Sequence, residues 1–153
     1  MLFRSPFEGE IAKQRVRDVA LRLIDLGVDQ VAISDTIGAA APTDIRSTVG
    51  HLLEVVPPER IALHLHDTYG TALANVCAGL ELGVTTSDAS AGGLGGCPFA
   101  PGAAGNLATE DLVHMLDRMG VETGVDLPKL AEASRLIEAA LNRPLPSRVL
   151  ARL

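Results

Sequence analysis

The chain has 153 residues, a formal net charge of −6 and 47% hydrophobic residues, which allows one domain with its own core but not two ordinary domains. The acidic balance argues against nucleic-acid binding, which needs a basic patch, and the lack of an apolar run of about 18 residues predicts no membrane span. Two cysteines in different contexts predict a reducing intracellular setting rather than a disulfide scaffold.

Apolar spacing and turn residues predict alternating helices and strands. After an extended N-terminal segment and a loop, helices are predicted over residues 10–26, 42–55, 71–82, 109–119 and 127–141, and strands over 30–35, 60–66 and 84–91. Gly27 and Gly83 are expected to end helices, and Pro42 to open one. This order with short connections predicts a parallel sheet with right-handed crossovers.

Polar side chains gather at the carboxyl ends of the three predicted strands. In βα barrels and doubly wound sheets, that edge binds ligands and carries catalytic groups. The residues concerned are Asp35, His64, His66, Asp67, Asp88 and Ser90. The opposite edge carries no such set, so we expect a functional site at the carboxyl edge.

His64 and His66 are the most informative pair, because residues two apart on a strand share one face. Two imidazoles on one face suit a metal ion, although two hydrogen-bonded or surface histidines are the simpler alternative. Oxygen ligands could come from Asp35, Asp67 or Asp88, and from Asn106. This donor set suits Mg²⁺, Mn²⁺ or Zn²⁺.

Two of these oxygen donors have structural alternatives. Asp35 could cap the loop that begins at Thr36, and Asn106 could be the N-cap of the following helix.

The glycine-rich stretch 91–106 is too long for a simple connector and is typical of a lid or binding loop. Cys97 lies within it and is a candidate catalytic or redox-sensitive thiol, or a chance cysteine in a loop. Cys77 falls in a predicted amphipathic helix and is expected in the core. No Walker or dinucleotide-binding fingerprint accompanies the glycines.

Four segments together resemble the 3-hydroxy-3-methylglutaryl-CoA (HMG-CoA) lyase family of the DRE-TIM metallolyase superfamily: Ser34-Asp-Thr-Ile-Gly38, His64-Leu-His-Asp-Thr-Tyr-Gly70, Gly93-Leu-Gly-Gly-Cys-Pro-Phe-Ala100 and Gly105-Asn-Leu-Ala-Thr-Glu-Asp111. The His-x-His-Asp element is shared by synthases and aldolases of the superfamily. The Gly-Leu-Gly-Gly-Cys-Pro loop is more particular to the lyase.

The resemblance implies metal-assisted cleavage of HMG-CoA to acetyl-CoA and acetoacetate, a reaction of leucine degradation and ketone-body formation. It makes His64, His66 and Asn106 ligands of Mg²⁺ or Mn²⁺. It makes Asp35 an active-site acid and Cys97 the cysteine of a catalytic loop, and His64 is a candidate for a second role in proton transfer. The substrate would be an acyl-CoA.

The resemblance also implies that residues 1–153 form a single partial domain. A (β/α)₈ barrel takes about 250 residues, and this chain matches strands six to eight with their helices. The N-terminal half, with the family's Arg-Asp pair, is missing, and Ser5 stands where the lyase often has Cys. We expect the isolated chain to be inactive, with both sheet edges and the inner face exposed as an aggregation liability.

Activity would then require completion by the missing half, and the family's homo-oligomerisation is expected for the whole protein. Another acyl-CoA synthase or aldolase of the superfamily, and a non-catalytic barrel remnant, are the alternative functions. The predicted location is a bacterial cytoplasm, or mitochondria or peroxisomes in a eukaryote; the C-terminal Ala-Arg-Leu loosely resembles a peroxisomal tripeptide.

Overall fold

The computed structural model describes residues 4–5, 7–96 and 105–153. Strands and helices alternate after a short N-terminal hairpin. In chain order the elements are β1 (Arg4–Ser5), β2 (Gly9–Glu10), α1 (Lys13–Asp25), β3 (Val31–Asp35), α2 (Pro42–Leu53), β4 (Ile61–Leu65), α3 (Ala72–Glu81), β5 (Thr86–Asp88), α4 (Thr109–Arg118) and α5 (Leu127–Leu141).

The main sheet is parallel, as the sequence predicts. Within the described ranges it has three strands in the order β3-β4-β5 and is not closed. The register pairs Val31 with Ile61 at one end and His64 with both Ser34 and Asp88 near the other. The parallel register therefore brings the carboxyl ends of the strands, with their polar residues, to one edge.

Helices cover one face of this sheet and form the core with it. Along β3, Val31, Ile33 and Asp35 are buried, while the intervening residues are half exposed. This period of two puts every second side chain against the helices. The largest fully buried apolar side chains of the layer are Ile33, Ile45, Leu52, Ile61, Leu63 and Leu65. No helix of the described part is long and apolar enough to cross a membrane.

Three helices end in the same way, at a glycine followed by valine. Gly27, Gly83 and Gly120 have φ of +90°, +85° and +76°, a conformation that glycine adopts without a steric penalty. After α3, the N–H of Val84 donates to the carbonyl of Gly79, and that of Gly83 to the carbonyl of Leu80. This pair of bonds is a Schellman motif, which satisfies the last carbonyls of the helix.

The third strand is shorter than predicted. The sequence predicts a strand over 84–91, but β5 covers only Thr86–Asp88, and Ala91–Gly93 forms a 3₁₀ turn. Val84 is buried and belongs to the Schellman motif at the end of α3, so it is not part of the strand. Ser90 pairs with Ala108 instead of continuing beside β4.

The open face of the sheet is the face that the helices leave uncovered. Period-two alternation places Ala32, Ser34, Ala62, His64, Thr86 and Asp88 on this face. These side chains are small or polar, so the described residues of the sheet do not form an apolar patch on this face; the expected aggregation liability stays a prediction. A polar lining there has the chemistry of a binding site rather than of a core.

Leu52→Ala tests the helix-covered core. Leu52 is 1% exposed, so its truncation should lower the free energy of unfolding by about 2–5 kcal/mol through lost burial and a residual cavity. Leu136→Ala is the matched control, since Leu136 is 74% exposed on α5 and its truncation should change that free energy by less than about 0.5 kcal/mol. Urea denaturation measures both. Equal effects of the two substitutions would contradict the assignment of the core to this face.

Candidate active site

The parallel register builds a polar row across the three strands. Ser34, His64 and Asp88 are neighbours in this row, and His64 Nδ1 lies 2.7 Å from Asp88 Oδ1. The two side chains are 31% and 58% exposed. A hydrogen-bonded pair this exposed adds little to stability, so its main effect is to orient the imidazole ring.

His66 lies beyond the end of β4 and is 4% exposed. Its ring centroid is 5.3 Å from that of His64, so the sequence-predicted pair does come together. An antiparallel bridge sets His66 beside Asn106. The three residues predicted as ligands therefore lie next to one another.

The segment from Gly105 to Ala108 brings Asn106 into the site. The N–H of Leu107 donates to the carbonyl of Leu65 at 2.9 Å, and the N–H of Ser90 donates to the carbonyl of Leu107 at 2.9 Å. The N–H of Asp67 donates to the carbonyl of Gly105 at 3.2 Å. The segment thus runs between the ends of β4 and β5.

Asn106 is not a helix cap. Ala108 is the N-cap of α4, so the interpretation of Asn106 as the N-cap is wrong. Its Nδ2 donates to the carbonyl of Leu94 at 2.9 Å. Its Oδ1 is buried and has no hydrogen-bond partner among the described residues. A buried acceptor without a donor is costly, and a bound cation would satisfy it.

The donor set fits a divalent ion. Two imidazoles and one amide oxygen are ligands that Mn²⁺ and Zn²⁺ accept, and ligand distances of about 2.1 Å let one ion contact both rings. The described residues contain no group of three His, Cys, Asp or Glu side chains that could hold a metal. Further donors would therefore have to come from Asn106, water, substrate or residues outside this chain.

Asp35 lies at the end of β3, but its carboxylate accepts hydrogen bonds from the backbone of the following loop. Oδ1 accepts the N–H of Ala39 at 3.0 Å, and Oδ2 accepts that of Ala40 at 2.9 Å. The loop-capping interpretation is confirmed by these bonds. Burial raises the pKa of Asp35 above its ordinary value, although the same N–H groups act to lower it. Its role as an active-site acid stays a prediction.

Asp67, another candidate oxygen ligand, is engaged elsewhere. Its Oδ1 accepts the N–H of Ala72 at the start of α3 at 3.0 Å, and its Oδ2 accepts from Arg148 Nη1 at 3.1 Å. Asp88 is engaged by His64. Asn106 is therefore the strongest candidate oxygen donor in the described part of the site.

A buried carboxylate that the sequence analysis missed holds the base of the glycine-rich loop. Glu110 is fully buried; its two oxygens accept the N–H of Gly92 at 3.1 and 2.8 Å, and Ser134 Oγ donates to it. The neighbouring Asp111 accepts from Ser147 Oγ at 2.6 Å. Two acids in the first turn of a helix are common on exposed helices too, so the sequence carried no specific signal for burial.

Cys97 lies outside the described residues, so its predicted role in catalysis stays a prediction.

Gly105 lies close to the backbone of Gly93. A Cβ at Gly105 would lie 2.0 Å from the carbonyl oxygen of Gly93. Only glycine permits this approach, and the approach fixes the backbone position of the next residue, Asn106.

The fold and site together define part of a βα barrel with its polar residues at the carboxyl edge. The HMGL-like family model matches residues 2–137, and the chain belongs to the HMGL-like family. The resemblance stated from the sequence is therefore confirmed.

Individual relatives agree with this. The chain is 46% identical over 147 residues to a hydroxymethylglutaryl-CoA lyase of Bacillus subtilis, covering 96% of this chain and 49% of the relative. It is 44% identical over 147 residues to an (R)-citramalyl-CoA lyase of Chloroflexus aurantiacus, covering 96% and 46%. The chain spans about half the length of the curated relatives it matches.

The fold agrees with a solved relative. The crystallised HMG-CoA lyase of Acinetobacter baumannii, in complex with coenzyme A and 3-methylmalate, superposes with a TM-score of 0.91 at 43% identity, covering 98% of this chain and 49% of that one. Other solved HMG-CoA lyases that superpose with this chain are likewise covered to about half of their length. The predicted partial barrel is confirmed.

Gly105→Ala tests the close backbone approach that places Asn106. The added methyl cannot fit against Gly93, so the backbone must shift, and the free energy of unfolding should fall by about 1–3 kcal/mol. Gly96→Ala is the control in the same loop, because its Cβ would meet no atom of the described residues within 4 Å. Thermal denaturation compares the two. If both variants melt with the parent chain, the close approach does not determine the position of Asn106.

Proposed function

We propose that this chain forms the C-terminal part of a divalent-metal-dependent HMG-CoA lyase. One observation carries the proposal: the buried Oδ1 of Asn106 has no hydrogen-bond partner among the described residues and belongs to the residue paired with His66. Membership of the HMGL-like family and the lyase relatives support the choice of reaction. The coenzyme A complex of a relative supports an acyl-CoA substrate.

In this proposal His64, His66 and Asn106 would hold Mg²⁺ or Mn²⁺ at the open edge of the sheet. The ion, when bound, would polarise the 3-hydroxyl and a carbonyl or carboxylate oxygen of the substrate. The family to which the chain belongs is generally dependent on a divalent metal.

The reaction itself requires proton transfers from the protein. A base takes the proton of the 3-hydroxyl, the bond between C2 and C3 breaks, and its electron pair remains on the acetyl-CoA part as an enolate. Acetoacetate leaves as the ketone, and an acid returns one proton to the enolate carbon. Cys97 and Asp35 are the proposed proton-transfer residues, and His64 would take part only when it does not bind the ion.

The chain alone is proposed to be inactive. It covers about half of its relatives, and its polar face is open on the side of Thr86 and Asp88, which are exposed. The other half of the barrel would close this face and supply the Arg-Asp pair. Its Arg would stabilise the enolate, and its Asp would complete the metal ligands.

The proposed location is a bacterial cytoplasm, or an organelle in a eukaryote. The proposed oligomeric state is the homo-oligomer of the family.

A second substrate calls for a direct test. The citramalyl-CoA lyase relative is 44% identical, close to the 46% of the HMG-CoA lyase relative, so similarity alone does not choose between their substrates. A chain that instead belonged to an acyl-CoA synthase or aldolase of the superfamily, or that was a non-catalytic barrel remnant, would support cleavage of neither acyl-CoA.

A chimera tests the proposal. The N-terminal half of the Bacillus subtilis relative is fused to this chain, and cleavage of HMG-CoA and of citramalyl-CoA is followed with Mn²⁺ present. We expect HMG-CoA to be the better substrate, with acetoacetate and acetyl-CoA as products, and no turnover by the 153-residue chain alone. His66→Ala in the chimera should weaken Mn²⁺ binding and abolish cleavage, because it removes a buried ligand.

His114→Ala is the matched control, since His114 is exposed on α4 and is not one of the proposed ligands or proton-transfer residues. It should leave Mn²⁺ affinity and turnover unchanged. A folded chimera that prefers citramalyl-CoA would replace the proposed substrate. Turnover by the isolated chain would overturn the requirement for the other half.

A further inference from the structure

The pair of His64 and Asp88 goes beyond the ligand set. We propose that Asp88 is a positioning residue: it holds the proton of His64 on Nδ1 and presents Nε2 to the metal ion. The inference rests on the proposed function only in that His64 is a ligand of a divalent ion.

The backbone register creates this pair. His64 and Asp88 are Cα partners on the parallel strands β4 and β5, so both side chains leave the same face of the sheet at the same level. Their closest atoms, His64 Nδ1 and Asp88 Oδ1, are 2.7 Å apart. This is the length of a charge-assisted N–H···O bond. The strands therefore hold the two groups together without help from the glycine-rich loop.

The chemistry of the two groups fixes the tautomer. A carboxylate only accepts hydrogen bonds, so the ring nitrogen that faces Asp88 must carry the proton. In the neutral imidazole the other nitrogen, Nε2, then has the lone pair that a metal needs. A carboxylate that holds the second nitrogen of a metal-bound histidine orients the ring and raises its basicity.

The competing role for Asp88 is that it ligates the ion itself, as its position at a strand end also allows. In the structure its Oδ1 is engaged by His64, and Asn106, which is paired with His66, already offers a buried oxygen with no partner among the described residues. The geometry therefore favours Asp88 as the partner of a ligand over Asp88 as a ligand.

One consequence concerns catalysis. With Nδ1 on Asp88, only Nε2 of His64 is left, and one nitrogen cannot ligate an ion and exchange a proton with the substrate at the same time. When the ion is bound, proton transfer to the substrate then falls to a residue other than His64. The two roles predicted for His64 thus exclude each other.

Metal affinity is the first test. In the chimera, Asp88→Asn should weaken Mn²⁺ binding about 10- to 100-fold, the usual effect of losing the partner of a ligating histidine. Asp88→Glu keeps a carboxylate and should restore part of the affinity. Asp117→Asn removes the same charge from an exposed position on α4 and should change the affinity less than twofold. Calorimetric titration with MnCl₂ measures all three.

The tautomer of His64 is the second test and needs no metal. The chain has four histidines, so ¹⁵N-histidine labelling of the metal-free 153-residue chain gives few signals, and His64→Gln identifies that of His64. At mildly alkaline pH the parent should show a protonated Nδ1 and an unprotonated Nε2. Asp88→Ala should shift the ring toward the Nε2–H form that predominates in free histidine.

The outcomes separate the two proposals. If Asp88→Asn keeps the Mn²⁺ affinity within twofold and Asp88→Ala keeps the tautomer, the inference is wrong. Loss of Mn²⁺ binding by more than 1000-fold with an unchanged tautomer would make Asp88 a ligand and also overturn it. If both expected effects occur but the chimera cleaves no acyl-CoA, the proposed function fails while the role of Asp88 stands.

Discussion

The site depends on a short piece of backbone laid between two strand ends. Hydrogen bonds from Leu107 to Leu65 and from Ser90 to Leu107 hold this piece in place, each contributing about 1 kcal/mol net. Because the piece is fixed on both sides, Asn106 lies beside His66 although 40 residues separate them along the chain. The glycine at position 105 permits the close approach. Without this connection, the histidines would be two polar residues on an open sheet.

Much of the fold followed from the sequence because its signals were local. Helix ends were marked by Gly27 and Gly83, which adopt the positive φ expected of helix stops, and Pro42 begins α2 as predicted. The third strand was predicted too long because Val84, a good strand residue, packs instead as part of a helix end. Tertiary packing overrode a local β preference there.

The site was partly predictable for a different reason. Parallel strands align their carboxyl ends, so His64, His66 and Asp88 could be placed at one edge from the sequence alone. Their bonds could not, because which oxygen pairs with which nitrogen depends on the register and on the ring orientation. Glu110 was missed since its partners, Gly92 and Ser134, are 18 and 24 residues away along the chain. Asp35 also lies at this edge, but its carboxylate accepts backbone N–H groups of the following loop.

The two faces of the sheet differ in chemistry, and in the proposed function only one of them carries the site. The helix-covered face is a self-contained core, with Ile33, Leu63 and Leu65 fully buried. The opposite face carries the small and polar groups on which the proposed chemistry depends. This arrangement gives the chain a reason to fold as one unit while its proposed activity requires the other half.

The central claim is that His64, His66 and Asn106 hold one divalent ion. A crystal structure of the chimera soaked in MnCl₂, with data collected at the manganese absorption edge, tests it most directly. We predict a single anomalous peak within ligand distance of a ring nitrogen of each histidine and of Asn106 Oδ1, with His64 contributing Nε2. A peak bound through Asp67 or Asp88 instead, or an ordered site with no peak between the two rings, would contradict the account.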